Sequence, residues 1–221
     1  MRTKRSILDD GFQAYLTEGA AFVGAAGIPM LMDLKNTQIP KALISFGKAL
    51  SCKNKRQYVH FYSHDREFSR ILTSTTHYLE LMKQFDGVIS PDCSILVGQS
   101  PCLQQTNTYM NRAVGFHFQK NGIPVIPNIR WGDRSTYGFC FLGVPQNSIV
   151  SIGSHGCLRD KELRRHFKTG LAAMLEVLYP TDVLVYGRMP EDIFGEYMDQ
   201  VRFHHYPSEL ERAHPKKAGE Q

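Results

Sequence analysis

Residues 148–186, SIVSIGSHGCLRDKELRRHFKTGLAAMLEVLYPTDVLVY, decide the fold class. The stretch opens on Ser148-Ile149-Val150-Ser151-Ile152, a short β-branched run of the kind strands favour. Asp160 then stands where a helix N-cap belongs, and Leu163, Phe167, Leu171, Met174, Leu175 and Leu178 recur at spacings that form one apolar helix face. Lys161, Arg164, Arg165 and Lys168 take the other face. Pro180 ends the helix, and Asp182-Val183-Leu184-Val185-Tyr186 reads as a strand covered on both sides. Strand, helix, strand at this spacing predicts a βαβ unit with parallel strands.

The same alternation extends upstream. Ile28-Pro29-Met30-Leu31-Met32, Ala42-Leu43-Ile44-Ser45-Phe46, Tyr58-Val59-His60-Phe61-Tyr62, Gly87-Val88-Ile89-Ser90 and Ile123-Pro124-Val125-Ile126-Pro127 read as short strands. The two prolines demote the last toward an edge. Between them, Phe68, Ile71, Leu72, Thr75, Tyr78, Leu79 and Met82 predict a helix over roughly 66–84 with Asp65 as its N-cap. A second helix spans about 102–120 and stops at Asn121-Gly122. Residues 132–148 read as loop and hairpin, the signal weakens after Gly187, and the charged tail is expected to fray from about 208. The expectation is one α/β domain over 1–221, a mainly parallel sheet of short strands with outer helices. It is TIM-barrel-like or an incomplete barrel, with an open doubly wound sheet as the alternative. No Gly-x-Gly-x-x-Gly fingerprint marks a dinucleotide site.

Composition sets outer bounds. The 221 residues are 42% hydrophobic and 21% charged, the balance of a folded chain. No run of ~18 apolar residues could span a membrane. The basic start Met1 to Arg5 is followed by Asp9 and Asp10 before any apolar stretch, so a secretory signal is not expected and a cytoplasmic location is. The net charge of +5 and pI near 8.9 suit a phosphate-bearing partner without requiring one. Five scattered cysteines with no Cys-x-x-Cys point to free thiols, not a zinc site or a disulfide framework.

Chemistry in parallel α/β folds gathers where strands end. Here those ends carry Ser63-His64-Asp65, Ser90-Pro91-Asp92, Asn128-Ile129-Arg130-Trp131 and Gly153-Ser154-His155-Gly156. Asp92 and Asp65 are candidate catalytic carboxylates, and His155 is a candidate acid or base. Arg130 offers a fork for an anion and Trp131 a stacking face, while Ser154 sits in a glycine-flanked turn able to cradle an anion beside the helix at 160. Each has a plainer reading: Asp92 capping its own turn on the amides of Ser94 or Ile95, Arg130 pairing with Asp133, Trp131 filling the core, His155 a turn residue. The segment Gly98-Gln99-Ser100-Pro101-Cys102 lacks the aspartate and tyrosine of a uracil-DNA glycosylase motif. No pattern names a cofactor, a metal or an oligomeric state.

Phe85-Asp86-Gly87-Val88-Ile89-Ser90-Pro91-Asp92, Asn121-Gly122-Ile123-Pro124-Val125-Ile126-Pro127-Asn128-Ile129-Arg130-Trp131-Gly132 and Val185-Tyr186-Gly187 resemble a family of bacterial, phage and mobile-element proteins known as a domain of unknown function. The resemblance implies that Asp92 and the Arg130-Trp131 pair are motif positions and that the gene travels on phages or plasmids. The functional expectation is a hydrolase or transferase acting on a nucleotide-like, phosphorylated or sugar-containing small molecule. The alternative is a non-catalytic phage or plasmid module that binds nucleic acid or protein through its basic helix face.

Overall fold

Nine strands form three sheets in the computed structural model, which describes residues 13–33 and 38–214. β1 (Phe22–Val23) and β2 (Ile28–Pro29) make an antiparallel pair. β3 (Leu43–Ser45), β4 (Tyr58–His60), β5 (Gly87–Ile89) and β6 (Val125–Ile126) form a parallel sheet in sequence order. β7 (Ile149–Gly153), β8 (Asp182–Tyr186) and β9 (Arg202–Tyr206) form another. A single parallel bridge between Asn128 and Ser151 joins the two at β6 and β7, with the Ile129 amide donating to the Ser151 carbonyl at 2.8 Å.

The sheet is open. Among the described residues no ladder joins β9 to β3, so the TIM-barrel closure is not found. The sheet nevertheless curls: Leu43 of β3 and Tyr206 of β9 share one buried cluster with Tyr58, Ile89, Ile126 and Leu184. The Tyr206 hydroxyl donates to the Pro40 carbonyl at 2.5 Å.

Among the described residues eight α-helices flank these strands: α1 (Phe46–Ala49), α2 (Asp65–Thr73), α3 (Leu79–Met82), α4 (Pro101–Lys120), α5 (Tyr137–Cys140), α6 (Lys161–Leu178), α7 (Glu191–Phe194) and α8 (Glu209–Ala213). α2, α3 and α4 cover the first sheet through Phe68, Ile71, Met82, Val114 and Phe118. α5, α6 and α7 cover the second through Phe139, Phe167, Leu171, Met174 and Phe194. On α6 the apolar residues sit on the side that meets the sheet, whereas α4 is buried on all sides from Asn111 to Gln119, because β2 and the 3-10 turn at Ala14–Thr17 pack on it as well. Among the described residues no helix is long and apolar enough to cross a membrane.

Several local expectations are corrected. The helix foreseen over 66–84 breaks at Ser74, where the Thr75 hydroxyl donates to the Ile71 carbonyl at 2.7 Å and competes with the helical amide. Asp65 is the first residue of α2, and extended His64 holds the N-cap position. The 28–32 run supplies two strand residues to the antiparallel pair and none to the parallel sheet. Residues 132–148 hold no hairpin: Asp133 caps a 3-10 turn through the Ser135 amide at 3.0 Å, and α5 follows. β9 was not foreseen. In the tail Ser208 and Glu211 form a capping box for α8, while residues 215–221 lie outside the described residues.

Phe167 is 4% exposed in the core beneath α6. Phe167→Ala should therefore cost ~3–5 kcal/mol in a denaturant titration. Lys168→Ala, whose ammonium reaches the surface Asp192 carbonyl, should cost under ~0.5 kcal/mol. Equal costs would mean that the buried face of α6 is misplaced.

Asp182, at the start of β8, accepts two hydrogen bonds from Arg202 at 2.9 and 2.8 Å and meets His204 Nε2 at 2.8 Å. These partners, Arg202 first, hold its carboxyl well below the usual carboxylate range. A depressed carboxylate contributes stability that is complete above its unfolded pKa of ~4 and is lost as pH falls below it. Thermal melts of Asp182→Asn and the parent should differ at neutral pH and converge in strong acid; a constant gap would exclude a charge effect.

Candidate functional site

The loops after β4, β5, β6 and β7 enclose a cleft of about 440 Å³ lined in part by Tyr62, Asp92, Arg130, Trp131, His155 and Cys157. Four parallel strands point their C-terminal ends at it, which is how loops distant in sequence come together.

Asp92 lies on the floor. Its Oδ1 accepts from Asn128 Nδ2 at 2.8 Å, and its Oδ2 is 3.8 Å from Arg130 Nη1. The plainer reading of Asp92 as a cap of its own turn has no counterpart here, because the Ser94 amide donates to Asp65 instead, at 3.2 Å. The ion pair is only partly open to solvent, with side-chain exposures of 13% for Asp92 and 22% for Arg130. Burial pushes the Asp92 carboxyl above its ordinary value, against the opposing pull of Arg130 and the Asn128 hydrogen bond. An arginine neighbour alone would keep the carboxylate ionised, but desolvation outweighs that attraction. Arg130 is itself resisted by burial, and Asp92, then Cys157, raise it further above its usual range.

A buried polar network sets the Asn128 amide. Asn128 Oδ1 accepts from the Tyr62 hydroxyl at 2.9 Å, which also lies 2.6 Å from Ser151 Oγ. With its oxygen taken by Tyr62, the amide must turn its NH₂ toward Asp92. The Asn128 backbone is pinned from behind, its amide donating to Ser90 Oγ at 2.8 Å and its carbonyl accepting from Asn111 Nδ2 and Arg112 Nη1 at 3.1 and 2.9 Å. Arg112, 1% exposed, also donates to the carbonyls of Cys140 and Leu142.

The other candidates are distributed around this pair. Asp65 accepts from Ser94 Oγ at 2.9 Å and holds the loop after β5 from beneath, outside the cleft lining. Trp131 lines the cleft yet is 8% exposed, donating Nε1 to the His166 carbonyl at 3.2 Å and packing on Phe141 and Phe167. It also lies so close over Gly170 that a β-carbon there would overlap the indole. His155 is exposed on the rim. Ser154 is buried off the cleft, its hydroxyl donating to the Arg188 carbonyl at 2.7 Å. At the start of α6 Asp160 accepts from the Glu162 and Leu163 amides at 2.7 and 3.2 Å, so those two amides are taken by the helix's own cap. The surface pairing of Arg130 with Asp133 is not found, since Arg130 faces Asp92.

The sequence reading assigns no role to Tyr62, Asn128 or His166, though Tyr62 and His166 line the cleft and Asn128 orients Asp92; Arg159, read there as part of the basic helix face, lines the cleft as well. The available signal was the polar residues Ser90, Asn128 and Ser151 inside or beside apolar strands, where each buried hydroxyl or amide demands a partner. Among the described residues no group of three metal-ligating side chains converges.

A parallel α/β sheet with a charged cleft across the ends of four strands defines the class. The chain belongs to the family described as Domain of unknown function (DUF4417), whose model matches residues 20–207. It is 30% identical over 154 residues to the Gene 1 protein of Mycobacterium phage L5, covering 70% of this chain and 66% of that protein. It is also 30% identical over 131 residues to the Gene 1 protein of Mycobacterium phage D29, covering 59% of this chain and 48% of that one. The matches thus span just under two thirds and about half of the lengths of these phage relatives. No solved structure matches the chain.

Proposed function

We propose that this chain is a phage-associated α/β enzyme, a hydrolase or transferase, acting on a phosphorylated or nucleotide-like small molecule. The observation that carries the reading is the Asp92–Arg130 pair at 3.8 Å on the floor of the strand-end cleft. Asn128 occupies one oxygen of Asp92 and leaves Oδ2 on the Arg130 side to take or give a proton. Burial, which raises this carboxyl above its ordinary value, favours its holding a proton. Arg130 holds the substrate's anionic group beside it. His155 on the rim serves as a second acid or base, Trp131 forms a wall, and Asp65 and Ser154 act by holding the loops that carry these groups.

The alternative, a binding module using the basic face of α6, is weakened by what that face already does. Arg164 is engaged by both carboxylate oxygens of Asp192, and Lys168 by the Asp192 carbonyl and Glu196. Binding of nucleic acid would then rest on Arg159, Lys161 and Arg165.

The test incubates the chain with a small-molecule cell extract and follows anionic compounds by mass spectrometry. A compound consumed by the parent and spared by both Asp92→Asn and Arg130→Gln supports the reading. Consumption by neither parent nor variants, with salt-sensitive DNA or RNA binding instead, overturns it.

A further inference from the structure

We infer that the cleft selects a molecule with an anionic head on an apolar body, in preference to a free inorganic anion. The inference deepens the reading of this cleft as an active site and rests on it.

The head is placed by Arg130. A guanidinium carries five N–H donors. Among the described residues its ion-pair partner is the Asp92 carboxylate at 3.8 Å. Donors therefore remain to face the cleft that Arg130 lines. Arg159, exposed at the mouth, adds a second positive charge. Because Asp160 caps α6, the helix start does not compete for the anion. The carboxylates lining the cleft are Asp92, already paired, and Glu67, exposed on α2.

The body is placed by the wall. Leu96, Val97 and Leu163 are 53%, 42% and 43% exposed, and all three line this cleft. Single exposed leucines are ordinary, but three converging on the mouth of one charged cleft form a patch that excludes water once covered. Ile95 and Phe167 continue that lining. An apolar group gains by burial against this wall. A bare anion reaches Arg130 but leaves the wall wet.

The probe is 8-anilinonaphthalene-1-sulfonate, a sulfonate on an apolar ring system, titrated by fluorescence against the full chain. Saturable binding at one site is expected, weakened at least tenfold by Arg130→Gln and several-fold by Leu163→Ser, in variants that melt like the parent. Leu103→Ser, at a leucine 47% exposed outside the cleft, should leave it unchanged. Phenyl phosphate should displace the probe at a concentration at least tenfold lower than inorganic phosphate. Equal displacement by the two, or a titration indifferent to both cleft variants, overturns the inference. The titration reads binding alone. A chain that binds as expected and turns nothing over defeats only the enzyme reading, whereas one that consumes a substrate but treats the two phosphates alike defeats only this inference.

Discussion

Asp92→Asn is expected to fold, to melt at or above the midpoint of the parent, and to turn substrate over ~10²–10⁴-fold more slowly, the range associated with a lost acid–base group. The substitution keeps Oδ1 for Asn128 and, on the Arg130 side, puts an uncharged amide that can neither take nor give the proton in place of Oδ2. The stability expectation follows from linkage. A carboxyl whose folded pKa is raised binds its proton more tightly in the native state, so its contribution to stability falls as pH rises through that folded value. Parent and variant should melt together in acid and separate in favour of the variant as pH rises. A variant that keeps full turnover would remove Asp92 from the chemistry. One that melts far below the parent would make it structural.

Arg112→Ala should cost ~3–5 kcal/mol in a denaturant titration, the range for breaking a buried charged network. The guanidinium is wholly enclosed and donates to the carbonyls of Leu142, Cys140 and Asn128 at 3.0, 2.9 and 2.9 Å, and to Asn111 Oδ1 at 2.5 Å. Burial pulls it down to about 10, which still leaves it charged at neutral pH. Truncation strands the Cys140 and Leu142 carbonyls, removes one of the two donors to Asn128 O and to Asn111 Oδ1, and opens a cavity. Arg112→Lys should recover little, because a point charge cannot reach acceptors arranged for a planar fork. A cost below ~1 kcal/mol would mean that water or backbone movement satisfies those carbonyls.

The elements that could be read in advance were those whose local chemistry and tertiary role agree. α6 is capped by Asp160, striped with Leu171 and Met174 and stopped before Pro180, and it lies where its periodicity put it. β8 coincides with the apolar run 182–186. β9 escaped notice because Arg202-Phe203-His204-His205-Tyr206 is an edge strand whose polar members satisfy Asp182 and face outward, leaving no apolar run. The break at Ser74 depends on one side-chain hydroxyl, and periodicity is blind to it. At the site, strand-end position was enough to bring Asp92, Arg130, Trp131 and His155 to one cleft. It could not tell that Asp65 and Ser154 spend their oxygens on Ser94 and Arg188, since a hydrogen-bond partner dozens of residues away leaves no mark on local pattern. Nor could it show that Asn128 is held between Tyr62 and Asp92.

The acceptors of Arg112 have a consequence for biosynthesis. Translation delivers α4 before any of the three carbonyls that its buried arginine needs, and Leu142 follows Arg112 by 30 residues. At cellular elongation rates of ~5–20 residues per second, that gap is about 2–6 s. Docking α4 before then would strand the charge, so α4 is expected to seat fully against the first sheet only once the segment around 142 has emerged. A nascent-chain arrest series should show α4 acquiring protease resistance only after that segment clears the exit tunnel.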